Sequence, residues 1–132
     1  MQGLNGRLEL GVFNATERRP IAAALLEFLQ HGVRYAFAPD RTGVVFGLPT
    51  SYAAPIMATR IVAPANDIAP VWAHDKGQVR GEGIEPLYGS APLAAEEDES
   101  FYALLALVDA VRIGRARERR VAQSLLASRF AK

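Results

Sequence analysis

The sequence predicts an α+β fold made of an N-terminal helix, a small antiparallel β-sheet with irregular Pro-rich segments, and a C-terminal helical pair. Three observations support it. Apolar residues near the start recur at helical spacing, the middle of the chain is rich in proline and glycine, and the last third is an apolar helix pattern that runs into an arginine cluster. With 132 residues, the chain is expected to form a single domain, 1–132.

The N-terminal part, 1–16, is predicted to be a strand or arm, because apolar residues alternate weakly between Arg7 and Phe13. The next part, 17–92, is expected to contain a helix and then a β-rich region. The helix is predicted from Arg18 to His31, since Pro20 suits a first turn and Gly32 is placed to end it. Its apolar residues at helical spacing are these: Ile21, Leu25, Phe28 and Leu29.

A β-hairpin is predicted over residues 33–47. Val33, Tyr35 and Phe37 alternate with other residues, as in a strand, and a turn signal follows at residues 39–43. From there to residue 92 prolines prevent long helices. We expect ordered irregular structure that wraps the core, with extended segments at 70–72 and 79–80 and a tight turn at 74–77 between them.

The last part, 93–132, is predicted to be helical. Acidic residues from Glu96 to Glu99 suit a first turn, where the helix dipole favours negative charge. The helix Glu99–Ile113 is apolar on nearly every side and is therefore expected to be buried. Gly114 either breaks the helix or lies within a longer one; we favour a break and a second helix, Ala116–Phe130.

Charge reverses sign along this part of the chain. Residues 85–110 contain six acidic residues and no Lys or Arg, whereas residues 112–132 contain seven basic residues and one acidic residue. The basic cluster is interpreted as a solvated helix face that pairs in part with the acidic block, as a protein-partner surface, or as a DNA contact. The residues assigned to partner or anion contact are Arg112, Arg115, Arg117, Arg119 and Arg120.

Asp109 is the ionisable residue in the most apolar segment. A carboxylate buried there must pair, protonate or accept several hydrogen bonds. Arg112 lies one helical turn away, so we predict a structural ion pair of Asp109 with an arginine that ties the two helices together. A functional carboxylate is the alternative.

No catalytic, cofactor-binding or metal-binding residue is predicted, and the chain is not expected to be an enzyme. His31 and His74 are interpreted as cap and turn residues, because no third group has metal-ligand spacing. The Thr50–Tyr52 loop lacks a nucleophile elbow. The chain has no cysteine, a net charge of +1 and no apolar run long enough to span a membrane, so a cytoplasmic protein is expected.

Four segments together resemble the C-terminal region of bacterial helix-turn-helix (MarR-like) transcriptional regulators. These are HGVRYAF (31–37), GLPTSYAAP (47–55), VW with GQVRGEGIEPLY (71–88) and YALLALVDAVRIGRARER (102–119). The resemblance implies that the chain corresponds to the part that follows an N-terminal winged helix, as the trailing module of a longer regulator. Only about 20 residues precede the first predicted helix, too few for a three-helix DNA reader. Direct DNA binding by this chain therefore stays open.

The resemblance thus implies a non-enzymatic regulatory or dimerisation module with a protein partner or a homodimer, no cofactor and no membrane. Its two C-terminal helices are expected to make the core and the partner contact. An antitoxin-like protein that binds and neutralises a toxin enzyme is the first alternative. A small-molecule-sensing domain, with its pocket in the region 47–88, is the second.

Overall fold

The computed structural model describes residues 15–62 and 67–131. The predicted strand at 7–13 lies outside the described residues. The last two residues of the predicted arm, Ala15 and Thr16, already belong to the first helix. Within the described residues the fold is α+β, as predicted: an N-terminal helical segment, a small three-stranded sheet and C-terminal helices.

The N-terminal helical segment is longer than predicted. Helix α1, Ala15–Glu27, continues through a π turn, Phe28–Gly32, into the short helix α2, Val33–Ala36. Gly32 keeps right-handed helical angles (φ −101°, ψ −30°), so it does not end the helix. The hairpin predicted over 33–47 is therefore wrong. Three apolar residues at alternate positions also fit a helix, and only Val33 among them is buried.

Three strands form the sheet: β1, Arg41–Pro49; β2, Pro70–Ala73; and β3, Val79–Ile84. Strand β1 pairs antiparallel with both others, but β2 and β3 pair in parallel, so the sheet is mixed rather than antiparallel as predicted, and it closes on itself. The extended segments predicted at 70–72 and 79–80 are confirmed. The turn between them is confirmed as well, with the Gly77 N–H donating to the His74 carbonyl at 2.9 Å.

Two glycines allow this tight closure. A Cβ added at Gly47 would overlap the carbonyl oxygen of Trp72, and one added at Gly77 would overlap the backbone of Gly47. The strands therefore approach backbone to backbone, which requires residues without a side chain. The glycine content of the middle region thus has a structural reason.

Short elements connect the sheet to the helices. After β1 come a 3₁₀ turn, Ser51–Ala53, and helix α3, Pro55–Ala58; after β3 comes helix α4, Ala91–Glu97. Helices α3 and α4 begin with a proline in the first turn, where the missing N–H has no consequence. Glu96 therefore lies at the end of α4, which corrects its predicted place in the first turn of the next helix.

The C-terminal helical pair is confirmed with the predicted bounds: α5 is Glu99–Ile113 and α6 is Ala116–Phe130. Asp98 begins α5, since its carboxylate accepts the N–H groups of Ser100 (3.0 Å) and Phe101 (3.1 Å). Gly114 separates the two helices, because its backbone is extended, with φ −72° and ψ 157°. A Cβ there would overlap the Ala110 carbonyl oxygen.

Helix α5 lies at the centre of the described part of the chain, and all its residues from Leu105 to Arg112 are buried. One side packs in a cluster with the π turn, α2, α3 and α6, and the other side packs in a smaller cluster with Trp72 and α4. The residues of the larger cluster are Leu29, Val33, Met57, Ile61, Leu107, Val108, Ala110, Val111, Ala122 and Leu126.

Candidate functional site

Asp109 is the centre of a buried polar network. Its side chain, in a residue only 1% exposed, accepts three hydrogen bonds: from the Thr50 hydroxyl (2.7 Å), the Trp72 indole N–H (2.8 Å) and Arg112 Nη1 (2.7 Å). Thr50 directly follows β1, Trp72 lies in β2, and Arg112 lies one turn further along α5. The network therefore joins the sheet to the central helix.

Arg112 extends the network. Its Nε donates to the Phe37 carbonyl at 2.8 Å and its Nη1 to the Glu85 carbonyl at 3.3 Å. The Asp109–Arg112 ion pair thus lies within one helix and links it to the sheet and α2, rather than tying two helices together. Arg112 is buried, with its Nε and Nη1 engaged inside the protein. It is therefore not part of the exposed arginine cluster, which corrects the prediction that assigned it to a partner or anion contact.

The electrostatics of this network favour a structural role. Burial raises the pKa of Asp109, and the bonds from Thr50, Arg112 and Trp72 oppose that rise. Nearby, burial raises the pKa of Tyr102 to about 12, which keeps its hydroxyl protonated and able to donate to the Pro49 carbonyl. Both Asp109 oxygens are engaged, so this carboxylate is not open to a substrate.

Arg115 caps helix α6. Its backbone N–H donates to Glu118 Oε1 at 2.9 Å, and its guanidinium contacts Glu118 Oε2 at 3.1 Å and Asp67 Oδ2 at 2.8 Å. The bonds to Asp67 and Glu118 raise the pKa of Arg115. This guanidinium is more than half exposed, yet two carboxylates of the same chain already hold it.

The remaining arginines of the predicted cluster divide into two kinds. Arg119 Nη1 donates to the Gly114 carbonyl at 2.7 Å and so caps the end of α5. Arg117 and Arg120 are exposed, lie one turn apart on α6 and form no salt bridge with another described residue. Of the five arginines assigned to a partner or anion, the structure thus leaves these two outside the internal contacts described above.

The histidines and Ser51 do not assemble a site. His74 lies in the β2–β3 turn, where its Nδ1 accepts the Lys76 N–H at 3.0 Å. Its Nε2 is buried and forms no hydrogen bond with the described residues; the nearest carboxylate oxygen, Glu96 Oε1, lies 3.5 Å away. Ser51 has a left-handed backbone (φ 56°) and a buried, unpartnered hydroxyl. Across residues 15–62 and 67–131 no group of three acidic or histidine side chains could hold a metal.

The sequence interpretation missed an exposed apolar stripe on the N-terminal helical segment. It consists of Ile21 (47% exposed), Leu25 (47%), Phe28 (38%) and Phe37 (50%), and is called the N-terminal apolar surface below. The rings of Phe28 and Phe37 meet edge to face, 6.3 Å apart. Of the four residues at helical spacing on which the first helix was predicted, only Leu29 is buried.

A groove lies beside this surface. Its volume is about 910 Å³, and it runs between α1, α3, α5 and α6. Half-buried apolar side chains form its floor, whereas charged and hydroxyl side chains form its rim. The apolar lining comprises Ala22, Ile56, Phe101, Leu104, Leu125 and Phe130, and the polar lining comprises Arg60, Asp98, Ser100, Ser128 and Arg129.

A smaller cleft of about 290 Å³ lies between the sheet and the α5–α6 junction. Charges of both signs line it, in the pairs Arg41–Glu82 (2.7 Å) and Arg115–Asp67 (2.8 Å). Tyr52 completes this wall, and burial raises its pKa. The cleft overlaps the region 47–88 in which the sequence suggested a pocket.

Comparison with known proteins adds no family. No protein-family model, no curated protein and no solved structure matches this chain significantly. Within the described residues, no helix combines the length and apolar character that crossing a membrane requires. The resemblance to helix-turn-helix regulators therefore stays a prediction.

Proposed function

We propose that this chain is a non-enzymatic protein-interaction module that dimerises through its N-terminal apolar surface. The exposure of Ile21, Leu25 and Phe28 along one side of α1 and the start of the π turn is the observation that supports it most. Full burial of one such side chain contributes roughly 1.5–3 kcal/mol. An exposed stripe of this kind marks a surface made for contact.

The marginal stability of an isolated helix supports the same proposal. Ala23 and Ala24 are exposed together with Leu25, so α1 is apolar on more than the side that faces the body of the protein. A helix of this length gains little stability from its own hydrogen bonds in water. A helix that is apolar all round is stable when other apolar surfaces cover it.

In the resemblance stated above, the module belongs to a bacterial helix-turn-helix regulator, where dimerisation would match the two-fold symmetry of an operator. The contact proposed here differs from the sequence expectation, which placed it on the two C-terminal helices. Residues 105–112 of helix α5 are buried, and the outer face of α6 presents Arg117 and Arg120.

The proposal is tested by the solution mass of the full chain, measured by light scattering after gel filtration. We expect a dimer for the native chain and a folded monomer for the double variant Ile21→Glu/Leu25→Glu. The control is Leu93→Glu, which changes a leucine on α4 that is more exposed (59%) than Ile21 and Leu25 (47% each) and should leave the mass unchanged. A double variant that associates as well as the native chain would refute the role of this surface.

The antitoxin-like alternative uses the same surface with a different occupant. It predicts that the chain is monomeric alone and forms a one-to-one complex with an enzyme encoded beside it. Mass spectrometry of the complex, purified after co-expression of the two chains, distinguishes this alternative from the homodimer.

The small-molecule-sensing alternative is favoured by the 290 Å³ cleft, which is close to the lower size limit of ligand pockets. Because Arg41 and Arg115 face Asp67, Glu82 and Glu118 there, a ligand with charges of both signs would fit it best. Thermal stabilisation by a panel of zwitterionic amino acids, lost in Arg41→Ala, is the expected result. No stabilisation by any of them would count against this alternative.

A further inference from the structure

We infer that in the dimer α1 of each copy lies in the groove of the other copy while it stays packed on its own chain. The inference rests on the proposed function and adds one point to it: the surface that receives the helix is the 910 Å³ groove. One chain thus contains both halves of a helix-in-groove contact.

The chemistry of the groove matches that of the stripe. Phe101, Leu104 and Leu125 form a half-buried apolar floor on α5 and α6. The side chains of Ile21 and Leu25, each about half exposed, are of the kind that such a floor would cover. Both surfaces expose apolar area to water in the monomer, and one contact would bury both.

The placement of α1 favours a symmetric contact between the two copies. Ala22 lines the groove, so α1 of the same chain is one of its walls. A second α1 in the groove would therefore lie against the first. The small side chains of Ala22, Ala23 and Ala24 allow two helices to approach closely. A contact in which each copy gives and receives the same helix closes after two copies, as two-fold dimers do.

Charge complementarity supports a second copy as the occupant. Arg60 and Arg129 lie on the rim of the groove, while the exposed Glu27 lies at the end of α1, next to Phe28. Asp98, the acidic residue on the rim, is engaged as the cap of α5. Arg60 Nη1 donates to the Ile56 carbonyl and Arg129 Nη2 donates to Ser100, which leaves other N–H groups of both guanidiniums. An incoming α1 would bring its Glu27 carboxylate towards those N–H groups, and this pairing would set its direction.

Disulfide trapping tests the inference, because the native chain has no cysteine. Isotope-labelled Leu25→Cys chain and unlabelled Leu125→Cys chain are mixed, equilibrated and oxidised. We expect a covalent dimer that contains one chain of each kind. The matched control replaces the second chain with Leu93→Cys, whose exposed position on α4 lies outside the groove and should give no such dimer.

A second variant tests the groove without disturbing the core. Ser128 is exposed on α6 and lines the groove, so Ser128→Arg should obstruct the groove while the chain stays folded, as measured by circular dichroism. We expect this variant to weaken the dimer at least tenfold. Ser124→Arg, on the exposed side of the same helix and outside the groove lining, is the control.

The outcomes separate this inference from the proposed function. A dimer that is lost in Ile21→Glu/Leu25→Glu but retained in Ser128→Arg, with no mixed disulfide, overturns the groove and leaves the α1 contact standing. A monomeric chain that binds a different protein through α1 overturns the inference and the dimerisation proposed above, and retains only the role of α1 as a contact surface. A native chain that remains monomeric and binds no protein overturns both.

Discussion

The central helix α5 and residues 21–26 of the N-terminal helix α1 are both apolar, but their environments differ. Helix α5 buries eight successive residues, Leu105–Arg112, between the sheet, α3 and α6. Helix α1 contacts α6 and the π turn, and leaves Ile21 and Leu25 half exposed. The comparison shows that an apolar run in a helix does not by itself predict burial within the same chain.

A substitution in the buried part of α5 is expected to have the largest effect on stability. Leu105→Asp places an unpaired carboxylate in the smaller core cluster, which costs several kcal/mol out of the roughly 5–15 kcal/mol that stabilise a domain. We expect loss of the cooperative thermal transition, measured by circular dichroism. Leu25→Asp, the same substitution on α1, should retain that transition. Equal melting curves for the two variants would show that the helices do not differ as described.

The next effect concerns the polar network within α5. Asp109→Ala removes the acceptor of Thr50 and Trp72 and leaves the buried Arg112 guanidinium without its carboxylate. Loss of one partner of a buried ion pair costs about 3–5 kcal/mol. We expect that loss in urea unfolding.

The double variant Asp109→Leu/Arg112→Met serves as the control for this change, since it removes both charges together. It should be more stable than Asp109→Ala alone. A double variant that is the less stable of the two would show that the buried guanidinium is not the source of the loss.

A smaller effect is expected where the N-terminal helical segment is anchored. The side-chain amide of Gln30, in the π turn, donates to the Gln123 carbonyl at 3.0 Å, and that of Gln123 donates to the Gln30 carbonyl at 2.8 Å. Each half-buried bond contributes about 1 kcal/mol. Gln30→Ala and Gln123→Ala should each lower stability by about that amount. Because each side chain bonds to the backbone carbonyl of the other residue, the two losses should add in the double variant, measured by urea unfolding. Unchanged stability in either single variant would contradict the contribution of that bond.

The smallest effect separates the arginines. Arg115→Ala removes the guanidinium contacts with Glu118 and Asp67 at the start of α6, so a drop of a few degrees in Tm is expected. Arg117→Ala changes an exposed side chain without a salt bridge to another described residue and should leave Tm unchanged. Differential scanning calorimetry compares them. A larger drop for Arg117 would reverse the division of the cluster made above.

Much of the helical architecture was predictable, but the helix at Val33–Ala36, where a hairpin was predicted, was not. The bounds of α5 and α6 follow from local signals, namely the Asp98 cap and the Gly114 break. The segment 33–37 offered three alternating apolar residues, a pattern too short to separate strand from helix. Tertiary contacts decided it: Val33 packs with α5 and Leu29, while Tyr35 and Phe37 face solvent.

The polar site was predictable only as far as local spacing reaches. A carboxylate in an apolar helix needs partners, and the Asp109–Arg112 pair lies at the three-residue spacing that the helix makes visible. The Thr50 hydroxyl is 59 positions away in the chain and the Trp72 indole 37, so no local pattern could indicate them. For the same reason, Asp67 could not be foreseen as the partner of Arg115.

The π turn Phe28–Gly32 has a consequence at the level of the gene. A π turn places an extra residue within a helix, and each residue turns an α-helix by about 100°. Removal of one codon in this segment would restore regular helical phase and rotate α1 by that angle relative to the core. The face presented by α1 is therefore set by a single codon, and natural variation can redirect it in one step while the residues of α5 stay unchanged.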